Sequence, residues 1–236
     1  MLFGRGPVTK IVRAVMGVRT GREYLEGIRD DRELWCDGER IKDVTTDPRF
    51  SGGAKTLAAL YDLQRKPDLI DKMTYQSPTT GDRVGLSFIQ PRTRGDLTSR
   101  REMFKIWNDY TCGMFGRSPD FMNVMLSSYA AAADAFNSDL SQFGKNVEAY
   151  YEFARENDIA TTHALVSPQV DRSKAPDAQV KDIAARIVGE NDKGFIINGV
   201  RMLATLAAIA DDIVVMPAPS YPLGDAEEAK NLSLIH

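Results

Sequence analysis

Near residue 158 the hydrophobic repeat of this chain changes from the period of a helix to that of a strand. Such a chain has to build two kinds of layer, packed helices and then sheet. Ahead of the switch, Gly53–Lys66 carries Leu57, Leu60, Tyr61 and Leu63 at helical spacing, and Pro67 closes the segment. Ser99–Met114 repeats the pattern through Met103, Ile106, Trp107, Tyr110 and Met114. Asp120–Phe136 is rich in Ala and Met with little charge, which predicts a helix buried on most sides. Ser141–Asn157 is amphipathic, with Phe143, Val147, Tyr150 and Tyr151 on one side. Two hairpins fall between these helices. Trp35–Ile41 turns at Asp37-Gly38, and Met73–Phe88 turns near Gly81-Asp82.

Beyond the switch, Ile159–Val166, Gly194–Ile197, Gly199–Met202 and Ile213–Val215 read as strands, with Asn198-Gly199 as a tight turn between two of them. Val180–Val188 reads as a short helix. The fold class is therefore α+β, with a mainly helical domain over residues 1–157 and a β domain over 158–236.

Bulk properties exclude several classes of function. The 236 residues are 43% hydrophobic and 27% charged, ordinary for a globular protein. A net charge of -3 gives no reason to expect nucleic acid or an anionic membrane as partner. No run approaches the roughly 18 apolar residues of a membrane span. Cys36 and Cys112, far apart in sequence, make no disulfide framework, so a cytoplasmic location is expected. Arg5, Lys10, Arg13, Arg19 and Arg22 precede the first acidic residue, Glu23, which predicts a basic, loosely held leader; a targeting peptide is the alternative.

The candidate chemistry gathers in one stretch, Thr161 to Ser173. It holds His163, the only histidine apart from His236. Ala164, Leu165 and Val166 can pair in a sheet, and Pro168 then stops the ladder. Gln169, Val170, Asp171 and Arg172 follow at once, so polar groups collect where a strand runs out, a place able to hold a planar polar ligand. By itself His163 reads either as a satisfied structural residue or as a proton-exchanging group. Arg117, ahead of Ser118-Pro119-Asp120, reads as a helix-boundary arginine capping carbonyls or pairing with Asp120, with Ser118 as N-cap and Pro119 at the first helical position. Gln169–Arg172 reads as a solvated turn with a local Asp–Arg pair. Thr205 lies in an apolar run, Met202–Ile209, so its hydroxyl needs a partner if buried. One internal histidine and two isolated cysteines leave a metal or iron–sulfur site unsupported, and no glycine-rich nucleotide loop is present.

Four blocks carry a family resemblance: Arg19–Leu25 (RTGREYL), Gly113–Phe121 (GMFGRSPDF), His163–Ser173 (HALVSPQVDRS) and Gly199–Leu206 (GVRMLATL). In their order and sequence they resemble the 4-hydroxyphenylacetate 3-monooxygenase oxygenase family, with its acyl-CoA dehydrogenase-like fold. The resemblance implies an N-terminal helical domain and a partial β-barrel or sheet domain, and it allows a strand rather than a helix over Val180–Val188. It also implies a chain truncated before the family's C-terminal helical bundle, and a homo-oligomer for the full-length protein. The implied activity is that of an FAD-dependent monooxygenase. Reduced FAD, supplied by a separate NAD(P)H-dependent flavin reductase, reacts with O2, and one oxygen enters a phenol ortho to its hydroxyl to give a catechol.

The same resemblance assigns site residues. His163 would act on the phenolic oxygen of the substrate, beside the flavin, and Arg117 would hold that oxygen. Ala164, Leu165, Gln169, Val170, Asp171, Arg172 and Thr205, with His163, would contact FAD. Phe121 departs from the family motif, which has tyrosine there and uses its hydroxyl in the active site. Either the substrate differs from 4-hydroxyphenylacetate, or another group such as Tyr110 or Tyr129 supplies the bond, or activity is reduced. Flavin-dependent 4-hydroxybutyryl-CoA dehydratases share the scaffold, but they carry an iron–sulfur cluster on cysteine pairs, and Cys112 stands alone. An inactive truncated remnant is the other alternative.

Overall fold

The computed structural model describes residues 17–138, 141–168, 170–171, 173–174, 183, 185–191 and 194–216. They form two compact units. One is built from the described residues of Arg5–Thr161 together with Leu206–Asp212, the other from those of Thr162–Thr205 and Ile213–His236.

The first unit is helical. Thr20 opens α1 (Gly21–Gly27) with a capping box: its hydroxyl accepts from the Glu23 amide at 3.1 Å, and the Glu23 carboxylate accepts from the Thr20 amide at 2.6 Å. Strands β1 (Leu34–Cys36) and β2 (Glu39–Ile41) form the expected hairpin. Asp37 and Gly38 between them take φ of 51° and 79°, the left-handed pair that such a turn requires. Helix α2 (Ser51–Gln64) buries Leu57, Leu60, Tyr61 and Leu63, the apolar positions of the sequence pattern. The short α3 (Ile70–Met73) leads into a second hairpin, β3 (Thr74–Gln76) with β4 (Arg83–Gly85). Helix α4 (Arg94–Tyr110) begins earlier than its apolar residues indicate, because Thr93 and Asp96 form a capping box at a polar first turn.

Helix α5 (Asp120–Ala131) differs from expectation. It is buried on one face only, through Met122, Asn123, Leu126, Ser127 and Ala130, and its extension is a 3-10 turn over Ala133–Phe136. Strands β5 (Asn137–Ser138) and β6 (Ser141–Gln142) pair briefly before α6 (Phe143–Glu156). The core of the unit packs α1, α2 and α4 through Tyr24, Ile28, Leu57, Leu60, Met103 and Trp107, with Ile209 returning from late in the sequence.

At the end of α6 the buried Glu156 carboxylate accepts from the hydroxyls of Ser77 at 2.6 Å and Thr80 at 2.7 Å, and from Arg155 Nε at 2.7 Å. Burial alone would raise the Glu156 pKa, but these donors outweigh it and hold the carboxyl below its ordinary value. A depressed folded-state pKa contributes stability that is present above the unfolded value, about 4.3, and is lost as pH falls through the folded value. Glu156→Gln is therefore expected to cost about 1–3 kcal/mol at neutral pH and to flatten the loss of stability below pH about 4.3. Urea unfolding between pH 7 and acid reads both effects, and an unchanged acid limb overturns the assignment.

In the second unit, β7 (Thr161–Ala164) pairs with β10 (Asp212–Val215), and Val166 bridges Met202. A separate antiparallel ladder joins β8 (Arg186–Asn191) to β9 (Gly194–Asn198). Of the two readings of Val180–Val188, helix or strand, the strand holds over residues 186–188, where Arg186 pairs with Asn198 and Ile187 with Ile197 of β9; residues 180–182 and 184 lie outside the described residues. Asn198-Gly199 does not reverse the chain either. Gly199 takes φ of 126°, and Val200 continues the same ladder, with its amide donating to Ile183 O at 2.7 Å and its carbonyl accepting from Ala185 at 3.3 Å. Gly199 is an irregularity within one strand direction rather than a turn between two. Among the described residues the sheets are two-stranded and no closed barrel forms, since each ladder pairs along one edge only.

Candidate functional site

The helical unit holds Arg117 and Phe121. Helix α4 ends in a Schellman motif: the Gly113 amide donates to Asn108 O at 2.8 Å and the Cys112 amide to Asp109 O at 3.3 Å, with both residues at positive φ. The chain then crosses Met114–Pro119 into α5. Ser118 does not cap that helix. Pro119 takes the cap position without a side-chain bond, and the Ser118 hydroxyl donates to the Asp120 carboxylate. Burial raises the Asp120 pKa against the pull of that hydroxyl. Asp120 is thereby engaged with Ser118, and the Arg117–Asp120 ion pair open on sequence grounds does not form. Arg117 instead lays its guanidinium over the Phe121 ring, 4.3 Å from the centroid. Tyr110 is exposed at the end of α4, and Tyr129 packs edge-on against Phe136, 5.4 Å between centroids.

The β unit holds the other candidates. All four residues of β7 are buried, and His163 is only 8% exposed. The run Arg201–Thr205 lies along the strand. Met202 donates its amide to Val166 O at 2.8 Å, Arg201 Nη1 donates to the Ser167 hydroxyl, and the Thr162 hydroxyl donates to Thr205 O. Leu203 and Leu206 flank Thr205 with φ of 61° and 71°, left-handed values uncommon for leucine. These bends turn the Thr205 carbonyl toward Thr162 while Thr205 itself stays exposed, so its hydroxyl needs no buried partner. Ala164 is buried and Leu165 half-buried. Val170 is exposed, and Asp171 accepts from the Ser173 amide at 3.0 Å and hydroxyl at 2.6 Å and pairs with Lys174 at 3.3 Å. The Ser173 hydroxyl, first among these contacts, holds the Asp171 carboxyl below its ordinary value. Gln169 and Arg172 lie outside the described residues.

These residues suit a flat polar cofactor. An exposed threonine and an exposed apolar rim of Val200, Met202 and Leu203 border the end of a buried strand, the combination that an aromatic ring with polar edges requires. Thus the β unit gathers His163, Ala164, Leu165 and Thr205, and the helical unit gathers Arg117 and Phe121.

A buried arginine, Arg19, is the strongest polar feature of the helical unit, although it lies in the segment expected to be a loose leader. Arg19 is 4% exposed. It donates Nη1 to Asp211 Oδ1 at 3.0 Å and Nη2 to Tyr61 Oη at 2.9 Å, and its second bond to Asp211 runs from Nη2 to Oδ2. Its guanidinium stacks on Tyr61 and Tyr24, 4.4 Å and 5.0 Å from the centroids. Burial works against the charge, yet Asp211 and Tyr61 hold the Arg19 pKa above its ordinary value. Asp211 Oδ2 also accepts the Ala160 amide at 2.7 Å, three residues before His163. The Thr20/Glu23 capping box marks Arg19 as ordered chain and was the available sequence signal.

Comparison with known proteins fixes the class. The structure superposes on an oxygen-tolerant archaeal 4-hydroxybutyryl-CoA dehydratase from N. maritimus with a TM-score of 0.76 at 20% identity, covering 91% of this chain and 42% of that one. That likeness shows the fold alone, which is acyl-CoA dehydrogenase-like. A crystal structure of the oxygenase component (HpaB) of 4-hydroxyphenylacetate 3-monooxygenase, complexed with FAD and 4-hydroxyphenylacetate, matches with a TM-score of 0.81 and 40% identity over 91% of this chain and 43% of its own. The 4-hydroxyphenylacetate 3-monooxygenase oxygenase component of Thermus thermophilus is 40% identical over 218 residues, 92% of this chain and 44% of the relative. Residues 20–233 match the family model for the 4-hydroxyphenylacetate 3-hydroxylase N terminal, and the chain belongs to that family. It spans less than half the length of these relatives.

Proposed function

We propose that this chain acts in the oxygenase component of a two-component aromatic hydroxylase that converts a phenol to a catechol. The observation that carries this reading is the match, at 40% identity over 91% of the chain, to a structure holding both FAD and 4-hydroxyphenylacetate. Bound reduced FAD would supply the activation of O2. His163 and Thr205 with Ala164, Leu165, Gln169, Val170, Asp171 and Arg172 would hold the cofactor. His163 would also exchange a proton with the phenolic oxygen, for which imidazole has a suitable pKa. Arg117 would hold the phenolic oxygen by charge. Burial of β7 keeps His163 from bulk water, and exclusion of water there would favour hydroxylation over loss of hydrogen peroxide.

The partners of this reading are an NAD(P)H-dependent flavin reductase, O2, and further copies of the chain in a homo-oligomer. Among the described residues no helix is long and apolar enough to cross a membrane, and Cys36 and Cys112 are both free thiols. These thiols support a cytoplasmic setting.

The test supplies reduced FAD and O2 with a panel of phenols and counts catechol and hydrogen peroxide per O2 consumed. Catechol formed from at least one phenol is the expected result. Peroxide alone with every phenol would overturn the proposal.

A further inference from the structure

Thr162 stands one residue before His163 on β7 and is 3% exposed. Its hydroxyl donates to the Thr205 carbonyl. Among the described residues this is the one hydrogen bond recorded for Leu203, Ala204 and Thr205. The chain is tied on either side of them. The Met202 amide donates to Val166 O at 2.8 Å, and Leu206 O accepts from the Ile209 and Ala210 amides, each at 2.8 Å. A span of three residues therefore depends on a single donor.

The span is also strained. Leu203 takes φ of 61°, where Cβ crowds the backbone of an L-residue. Its side chain is 73% exposed, so burial does not offset the strain. Such a conformation persists only where the surroundings enforce it. Thr162 is suited to enforce it. The residue is fixed in β7 by pairing with β10, and a β-branched side chain has few rotamers to lose. Neighbouring side chains leave a strand on opposite faces, so this hydroxyl does not compete with His163.

We infer that Thr162 is a positioning residue for the cofactor. Its hydroxyl latches the strained Leu203–Thr205 span, and the latch sets the Thr205 hydroxyl and the apolar rim beside it where the flavin ring is met. This inference rests on the FAD reading above and adds a residue that acts through Thr205.

FAD is titrated into the chain and its fluorescence quenching gives the affinity. Thr162→Val keeps the size of the side chain and removes the donor; Thr162→Ser keeps the donor. Thr162→Val should weaken FAD binding by about fivefold or more, the net worth of one neutral hydrogen bond, and Thr162→Ser should stay within about twofold. Leu203→Gly separates the latch from a general structural role, because glycine adopts this φ without the Cβ crowding. In the Leu203→Gly background, adding Thr162→Val should change the affinity by less than about twofold. Chymotrypsin, which cuts after leucine, gives a readout without cofactor: cleavage after the exposed Leu203 should speed up in Thr162→Val and not in Thr162→Ser. FAD affinity unchanged in Thr162→Val, or a loss undiminished in the Leu203→Gly background, overturns this inference and leaves the FAD reading standing. Cleavage of Thr162→Val throughout the chain rather than at Leu203 also overturns a local latch. A parent chain that binds no FAD overturns both.

Discussion

Replacing Asp211 with alanine is expected to lower the stability of the protein by about 3–5 kcal/mol, the usual cost of leaving a buried charge without its partner. Arg19 is enclosed by Tyr24, Tyr61 and Asp211, and Asp211 is the carboxylate that its guanidinium pairs with, while Asp158 accepts from the Arg19 backbone amide. The loss has a second part. Asp211 also accepts the Ala160 amide, so its removal orphans a backbone donor at the entry to β7. The unfolding midpoint in urea measures the effect. Arg22→Ala is the control: its pair with Glu26 lies 3.7 Å apart on the surface, and its loss should move stability by less than about 0.5 kcal/mol. A double change, Arg19→Met with Asp211→Leu, removes both charges and should recover much of the loss. A midpoint for Asp211→Ala equal to that of the surface control would show that the pair does not hold the fold.

The second large effect concerns chemistry. His163→Ala is expected to lower catechol formation by about 10²–10⁴-fold, the range for a positioned proton-transfer group. FAD binding, spread over several residues by the same reading, should stay within about twofold. Oxygen uptake would continue and end in peroxide. The two measurements separate a proton-transfer role from a structural one: a buried histidine that only fills space would disturb cofactor binding and stability together. Catechol yield equal to the parent chain's would remove His163 from the mechanism.

Local chemistry explains which elements were legible in the sequence. Helices α2, α4 and α6 announced themselves because each carries apolar residues at one spacing and a local stop or cap. The Asp37-Gly38 turn was readable for a similar reason, since the two backbone conformations it needs belong to two adjacent residues. Arg19 was not readable as a core residue, because its partner Asp211 is 192 positions away and nothing near Arg19 points to it. Asn198-Gly199 misled because a glycine at positive φ serves a strand irregularity as well as a hairpin, and only the pairing of Val200 with residues 183–185 decides between them. Helix and strand stayed open over Val180–Val188 for the same reason, since pairing to β9 decides the backbone at Arg186 and Ile187. At the candidate site the sequence motif singled out Arg117, but the choice of Ser118 as the partner of Asp120 is a matter of two competing short-range donors that only coordinates resolve.

The seven residues Leu206–Asp212 belong to the helical unit although they follow most of the β unit in the chain. Tyr24 gives its hydroxyl to Ile209 O, Arg32 reaches Ala208 O and Ala210 O, and Arg19 reaches Asp211. During synthesis the ribosome therefore releases α1 and α2 long before their last polar partners exist. The helical half cannot finish its interior as an early, independent folding step: its completion is deferred until the polypeptide has grown past residue 212.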